Sequence, residues 1–144
     1  MHKSFSLLEL LIVIATISII LTFAIPKFDM ITSTSKITEL KSNIALIRNG
    51  INKFKTNQIL LAQSSDITSL DSAIVEKNNE SLFNNVIDFS IVSTTSRINE
   101  IGKWIKTSQS SYEYLLSSSK KVLFSLEDNN FICKSSFEIC KEIE

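Results

Sequence analysis

An apolar run from Phe5 to Ile25, with a single acid inside it at Glu9, constrains this chain more than any other feature. As a helix with a rise of 1.5 Å per residue, about 21 residues reach about 31 Å, which matches a hydrocarbon core of about 30 Å. The other polar residues in the run are Ser6, Thr16, Ser18 and Thr22. Hydroxyls of this kind can bond back to the carbonyls of their own helix, so lipid tolerates them. A carboxylate is different: at the centre of a bilayer it costs roughly 2.5–3.5 kcal/mol, and acids placed there usually have a function and a partner. Lys3 precedes the run and favours a cytoplasmic N-terminus, although Lys27 and Lys36 on the far side weaken that signal. Two other readings of the run are a cleaved secretory signal, with Thr22-Phe23-Ala24 before the cut, and a plain single-pass anchor. The run is long for a signal peptide. Neither reading accounts for the position of Glu9.

The residues around Glu9 carry a resemblance. Lys3, Ser4, Phe5, Ser6, Leu7, Leu8 and Glu9, followed by the apolar run and Pro26, resemble the N-terminus of the type IV pilin and type II secretion pseudopilin family. The family pattern is a short basic leader, a small residue at the cleavage point, Phe-Thr/Ser-Leu-x-Glu and a long apolar helix. Ser4 stands where the family nearly always has Gly. The specific match covers residues 3–26 and extends loosely over the rest of the chain. It implies cleavage after Ser4 by a prepilin peptidase and methylation of the Phe5 amine. It also implies pairing of that amine with Glu9 of a neighbouring subunit, which sets the assembly register. The implied partners are other pilin-like subunits, a membrane assembly platform with its ATPase, and the lipid bilayer. The implied place is a bacterial inner membrane, crossed once, with the C-terminal head in the periplasm.

Composition narrows the classes further. The only histidine is His2, which leaves no Ser-His-Asp or Cys-His pair and no His-based metal site. Gly50 and Gly102 are the only glycines, too few for a phosphate-cradling loop. No enzyme activity, cofactor or metal is expected. Formal net charge is zero, but six bases between Pro26 and Asn57 face only Asp29 and Glu39, while the rest of the chain is acidic. Direct nucleic-acid binding through phosphates is therefore not expected. Cys133 and Cys140 lie close together, and outside the cytoplasm such a pair reads as a disulfide. Free structural thiols, or metal binding or redox catalysis, are the alternatives.

Beyond the membrane run, Pro26 lacks an amide hydrogen and its ring crowds the carbonyl of Thr22, so a kink is expected there. The helical pattern then resumes over 26–58. Ile37, Leu40, Ile44, Ile47, Ile51 and Phe54 form a narrow apolar stripe, with Lys41, Arg48 and Lys55 beside it. The spacing predicts one helix of about 53 residues, whose second half packs on its own head domain. Gly50 within the stripe marks close packing, since it otherwise costs about 1 kcal/mol.

The head is expected in two parts. Residues 59–102 form a connector with short helices around Ser69–Lys77 and Glu80–Phe89, the second capped by Asn79. Residues 103–144 form an antiparallel sheet and a disulfide-closed tail. Strand runs are Lys103–Lys106, Ser111–Leu116, Lys121–Glu127 and Asn130–Lys134, with Asp128-Asn129 as a tight hairpin turn. Trp104, Tyr112 and Tyr114 near Lys120 and Lys121 could stack on single-stranded DNA, but aromatics at strand spacing are more often core. Glu127, Asp128, Asn129 and Asn130 offer oxygen ligands without EF-hand spacing. The fold class is thus α+β, a long N-terminal helix, membrane-spanning in its first half, packed on a small antiparallel sheet, as in type IV pilins. The function expected is a pseudopilin subunit of a periplasmic filament, serving type II secretion or competence DNA uptake. A type IV pilus subunit and a non-polymerising single-pass periplasmic binding module are the alternatives.

Overall fold

The computed structural model describes residues 6–89 and 91–143, with the side chains of 25–33 excluded. The chain divides into two compact units, one ending at Ser35 and the other spanning Lys36–Glu144. Helix α1, Leu7–Leu60, contributes to both. In the first unit, the segment Leu7–Ala24 has a mean hydropathy of 2.6 and none of it is buried. By length and composition it can cross a membrane. Pro26 lies within the span of α1, but its side chain, and the kink expected from it, fall outside the described residues.

The second unit is built on the remainder of α1. Leu40, Ile44, Ile47 and Ile51 are buried, with Ile37 partly so, as the three-and-four spacing requires. Gly50 faces the backbone of the connector: a Cβ there would come within 2.8 Å of the Val86 carbonyl carbon. Over this stripe lies a four-stranded antiparallel sheet in the order β3-β4-β5-β6. The strands are β3 (Trp104–Lys106), β4 (Ser111–Leu115), β5 (Lys121–Glu127) and β6 (Asn130–Cys133). A smaller two-stranded sheet pairs β1 (Ser81–Leu82) with β2 (Ile91–Val92). Alternation along β5 turns Val122, Phe124 and Leu126 inward, and Tyr112 and Tyr114 of β4 face the same core. Aromatic rings fill the centre, with Phe83 5.3 Å from Trp104 and 4.7 Å from Tyr112, and Phe124 stacked on Phe131 at 5.1 Å. Asp128 and Asn129 close the β5–β6 hairpin with φ of 48° and 60°. A two-residue turn with both angles positive matches the right-handed strand twist.

The connector corrects the sequence expectation. Neither Ser69–Lys77 nor Glu80–Phe89 is helical. Leu82, Phe83 and Ile87 are buried, as their apolar pattern suggests, but from β1 and a single turn rather than from a helix. Positive φ at Asn79 (58°) and Phe83 (61°) breaks any helical path, so Asn79 serves as a left-handed turn residue instead of a cap. At Ser69–Lys77, the Asp71 carboxylate accepts the Ala73 amide at 3.1 Å, and Ser69 Oγ donates to the Asp71 carbonyl at 2.5 Å. Side-chain bonds of this type compete with helix formation. The tail also differs from the expectation, since it forms a helix, α2 (Phe137–Ile143), with Ile143 buried.

Candidate functional site

The first candidate is the start of α1. The Ser6 carbonyl accepts the amides of Glu9 (3.0 Å) and Leu10 (3.2 Å), which opens the helix. Glu9 falls in the first turn, where a negative charge suits the helix dipole. Its side chain is exposed and makes no ion pair among the described residues. Its neighbours Leu7, Leu8, Leu10, Leu11 and Ile12 are all more than half exposed, so among the described residues the acid lies on an exposed apolar surface. The hydroxyls behave as a lipid environment demands: Thr16, Ser18 and Thr22 donate to the carbonyls of Val13, Ile14 and Ser18 at 2.9, 2.8 and 2.8 Å. Ser4 and Phe5, the expected cleavage and methylation residues, lie outside the described residues. What remains is a helix apolar enough to cross a membrane and an exposed carboxylate with no ion pair among the described residues.

The second candidate is the end of the sheet. Cys133 on β6 is bonded to Cys140 on α2, with Cα atoms 5.8 Å apart. The bond fastens α2 to the sheet edge, and Lys120 Nζ adds an ion pair to Glu142 at 2.9 Å. Trp104, Tyr112 and Tyr114 are fully buried, so they are core rings and have no face for a nucleobase. In the β5–β6 turn, Glu127 is paired with Lys134 at 2.7 Å, and Asn129 accepts the Ile67 amide at 2.7 Å. The turn residues thus hold the connector and the hairpin together.

A third constellation escaped sequence reasoning. Lys106 and Asp71 form an ion pair at 2.6 Å, with side chains 1% and 0% exposed. Lys106 Nζ also donates to the Ala73 carbonyl at 3.0 Å. The other carboxylate oxygen of Asp71 accepts the Tyr112 hydroxyl at 2.8 Å and the Phe83 amide at 3.0 Å. Lys106 and Tyr112 are direct register partners across β3 and β4, so the sheet presents both to a carboxylate carried by the connector. Burial, followed by the Asp71 charge, pushes the Tyr112 hydroxyl far above the usual tyrosine range, so it stays a proton donor. Burial and the Glu39 carboxylate push Tyr114 the same way. The signal in the sequence was Lys106 itself, an inward position at the end of a strand of otherwise apolar residues.

Comparison with protein-family models, with curated proteins and with solved structures found no match to this chain.

Proposed function

We propose that this chain is a pilin-like structural subunit of a filament anchored in a bacterial inner membrane, of the kind that serves type II secretion or competence DNA uptake. Glu9 carries the reading. It lies in the first turn of α1 and is the one acid in the segment Leu7–Ala24, which is unburied and apolar enough to cross a bilayer. A single copy offers it no cation among the described residues. The Phe5 amine of a neighbouring copy, freed by cleavage after Ser4, is the cation that the resemblance to pilins supplies. Attraction between opposite charges is strong in a low-dielectric medium, and pairing offsets part of the cost of burying both. The work of such a subunit is mechanical: the apolar segments of neighbouring copies pack side by side and the heads are displayed in the periplasm. Prepilin peptidase, a membrane platform and its ATPase are the partners this role requires. The α+β head with its disulfide-fastened tail supports the reading, because a disulfide persists in the periplasm.

Glu9→Leu tests it. The variant inserts in the membrane at least as well as the parent, because an apolar group replaces a costly acid. It fails to enter filaments, because leaving one partner of a buried charge pair costs about 3–5 kcal/mol at each contact. Shearing or cross-linking that recovers as much Glu9→Leu as parent in polymers refutes the assembly role and favours a non-polymerising single-pass module.

A further inference from the structure

We propose that Lys106 and Asp71 mature into an intramolecular amide cross-link, an isopeptide bond joining β3 to the connector. The starting geometry is the buried network already described. Nζ of Lys106 lies 2.6 Å from Oδ1 of Asp71. Cγ, the atom to be attacked, is bonded directly to that oxygen, and a near-attack geometry needs it roughly 3–3.5 Å from Nζ. Both side chains are held from several directions, so the amine and the carboxyl cannot drift apart. Effective concentrations in such fixed intramolecular pairs reach about 10⁵–10⁸ M. Water, which opposes condensation in solution, is excluded from a site 0–1% exposed.

The arrangement around Asp71 divides its two oxygens by role. Oδ2 faces two donors, the Tyr112 hydroxyl at 2.8 Å and the Phe83 amide at 3.0 Å. Paired donors of this kind stabilise negative charge that develops on an attacked carbonyl oxygen. Oδ1 faces the Lys106 ammonium, its source of protons, and the Ala73 amide at 3.1 Å.

The step balances without any co-reactant. The Lys106 ammonium gives one proton to Oδ1, leaving a neutral amine beside a neutral acid. The nitrogen lone pair attacks Cγ, and the Nζ–Cγ bond forms while negative charge collects on Oδ2. A second proton passes from Nζ to Oδ1. The carbonyl re-forms at Oδ2, the Cγ–Oδ1 bond breaks, and Oδ1 leaves as water. One proton stays on the amide nitrogen, and nothing is oxidised or reduced.

The product suits the site. The amide N–H keeps the Ala73 carbonyl, now 3.0 Å from Nζ, as its acceptor. Its carbonyl keeps the Tyr112 and Phe83 donors. Only the Ala73 amide loses a partner. Two charges buried at the cost of their hydration disappear together, and that relief drives the condensation forward. The bond would close the loop from Asp71 to Lys106 permanently, in a region of the head that contains no cysteine.

Mass spectrometry of the full chain, extracted from membranes, reduced and denatured, decides the matter. The expected parent is lighter than its sequence by one water molecule, after allowance for N-terminal processing. Proteolysis yields a branched peptide joining the segments that contain Asp71 and Lys106. Lys106→Arg restores the full mass. Asp71→Asn ends at the same mass as the matured parent, because it forms the same bond by releasing ammonia. A parent of full mass, with Asp71 and Lys106 recovered in separate linear peptides, overturns the proposal. So does a water loss that maps to any other residue pair. The parent measurement alone is decisive, so poor folding of a variant does not rescue the idea.

Discussion

Asp71 shows how one side chain can organise a segment that has no regular structure of its own. Its carboxylate accepts from Ala73, Phe83, Tyr112 and Lys106, which lie on the connector and on two strands. Such a fully satisfied network is worth more than its separate pairs, and its loss in part is costly. Tyr112→Phe removes one donor and leaves Oδ2 of Asp71, whether carboxylate or amide oxygen, under-satisfied. Thermal unfolding of a fragment spanning 36–144 should show a loss of about 1–3 kcal/mol. The same hydroxyl makes stability depend on alkaline pH. Tyr112 and Tyr114 are raised in the folded state, so above the ordinary tyrosine value of about 10 the unfolded chain gives up protons that the folded chain keeps. Stability is complete below that pH and falls above it, with a limiting slope of about 1.4 kcal/mol per pH unit for each tyrosine. A melting temperature that stays flat from neutral pH to strongly alkaline pH would contradict this. Gly50 offers a separate test. Gly50→Ala gains about 1 kcal/mol of helix propensity. It drives a methyl group into the Val86 carbonyl, and overpacking of this sort typically costs 1–3 kcal/mol. The fragment should melt lower, and an unchanged or raised melting temperature would show that the connector yields easily.

At the scale of elements, legibility followed the range of the interactions. The stripe on α1 and the strands β3 to β6 are written in local periodicity, and the structure places the strands within a residue of expectation. The Asp128-Asn129 turn was legible because these residues tolerate positive φ. The connector was not legible. Its apolar residues, Leu82, Phe83, Val86 and Ile87, have a helix-like spacing, but Phe83 is fixed by a bond to Asp71 twelve positions earlier in the chain. No local pattern announces that bond, and tertiary contacts overrode propensity. Helix α2 was missed for another reason: seven residues are too few to show a period, and an isolated helix of that length is not stable in water. It exists because Ile143 is buried and the Cys133–Cys140 bond holds it. Closing this short loop should contribute roughly 2.5 kcal/mol in the chain-entropy account. Reduction, or the double change Cys133→Ser and Cys140→Ser, should lower the melting temperature and raise amide exchange over Phe137–Ile143. Unchanged exchange there would mean that Ile143 and the Lys120–Glu142 pair suffice.

At the scale of the molecule, a membrane-compatible helix and a small α+β head are joined through one continuous α1. Of the expected site residues, Glu9, Cys133 and Cys140 are described, and the structure gives each a physical setting. Ser4 and Phe5 are not described, and they hold the chemistry on which the filament reading turns. The N-terminus of the mature protein is therefore the most direct measurement. Membrane-extracted material should begin at Phe5, having lost Met1–Ser4, and should carry one added methyl group on its terminal amine. Ser4→Gly should be processed at least as completely. A mature chain that begins after Ala24 and is recovered in soluble form would contradict the account, because it would discard Glu9 together with the helix meant to assemble.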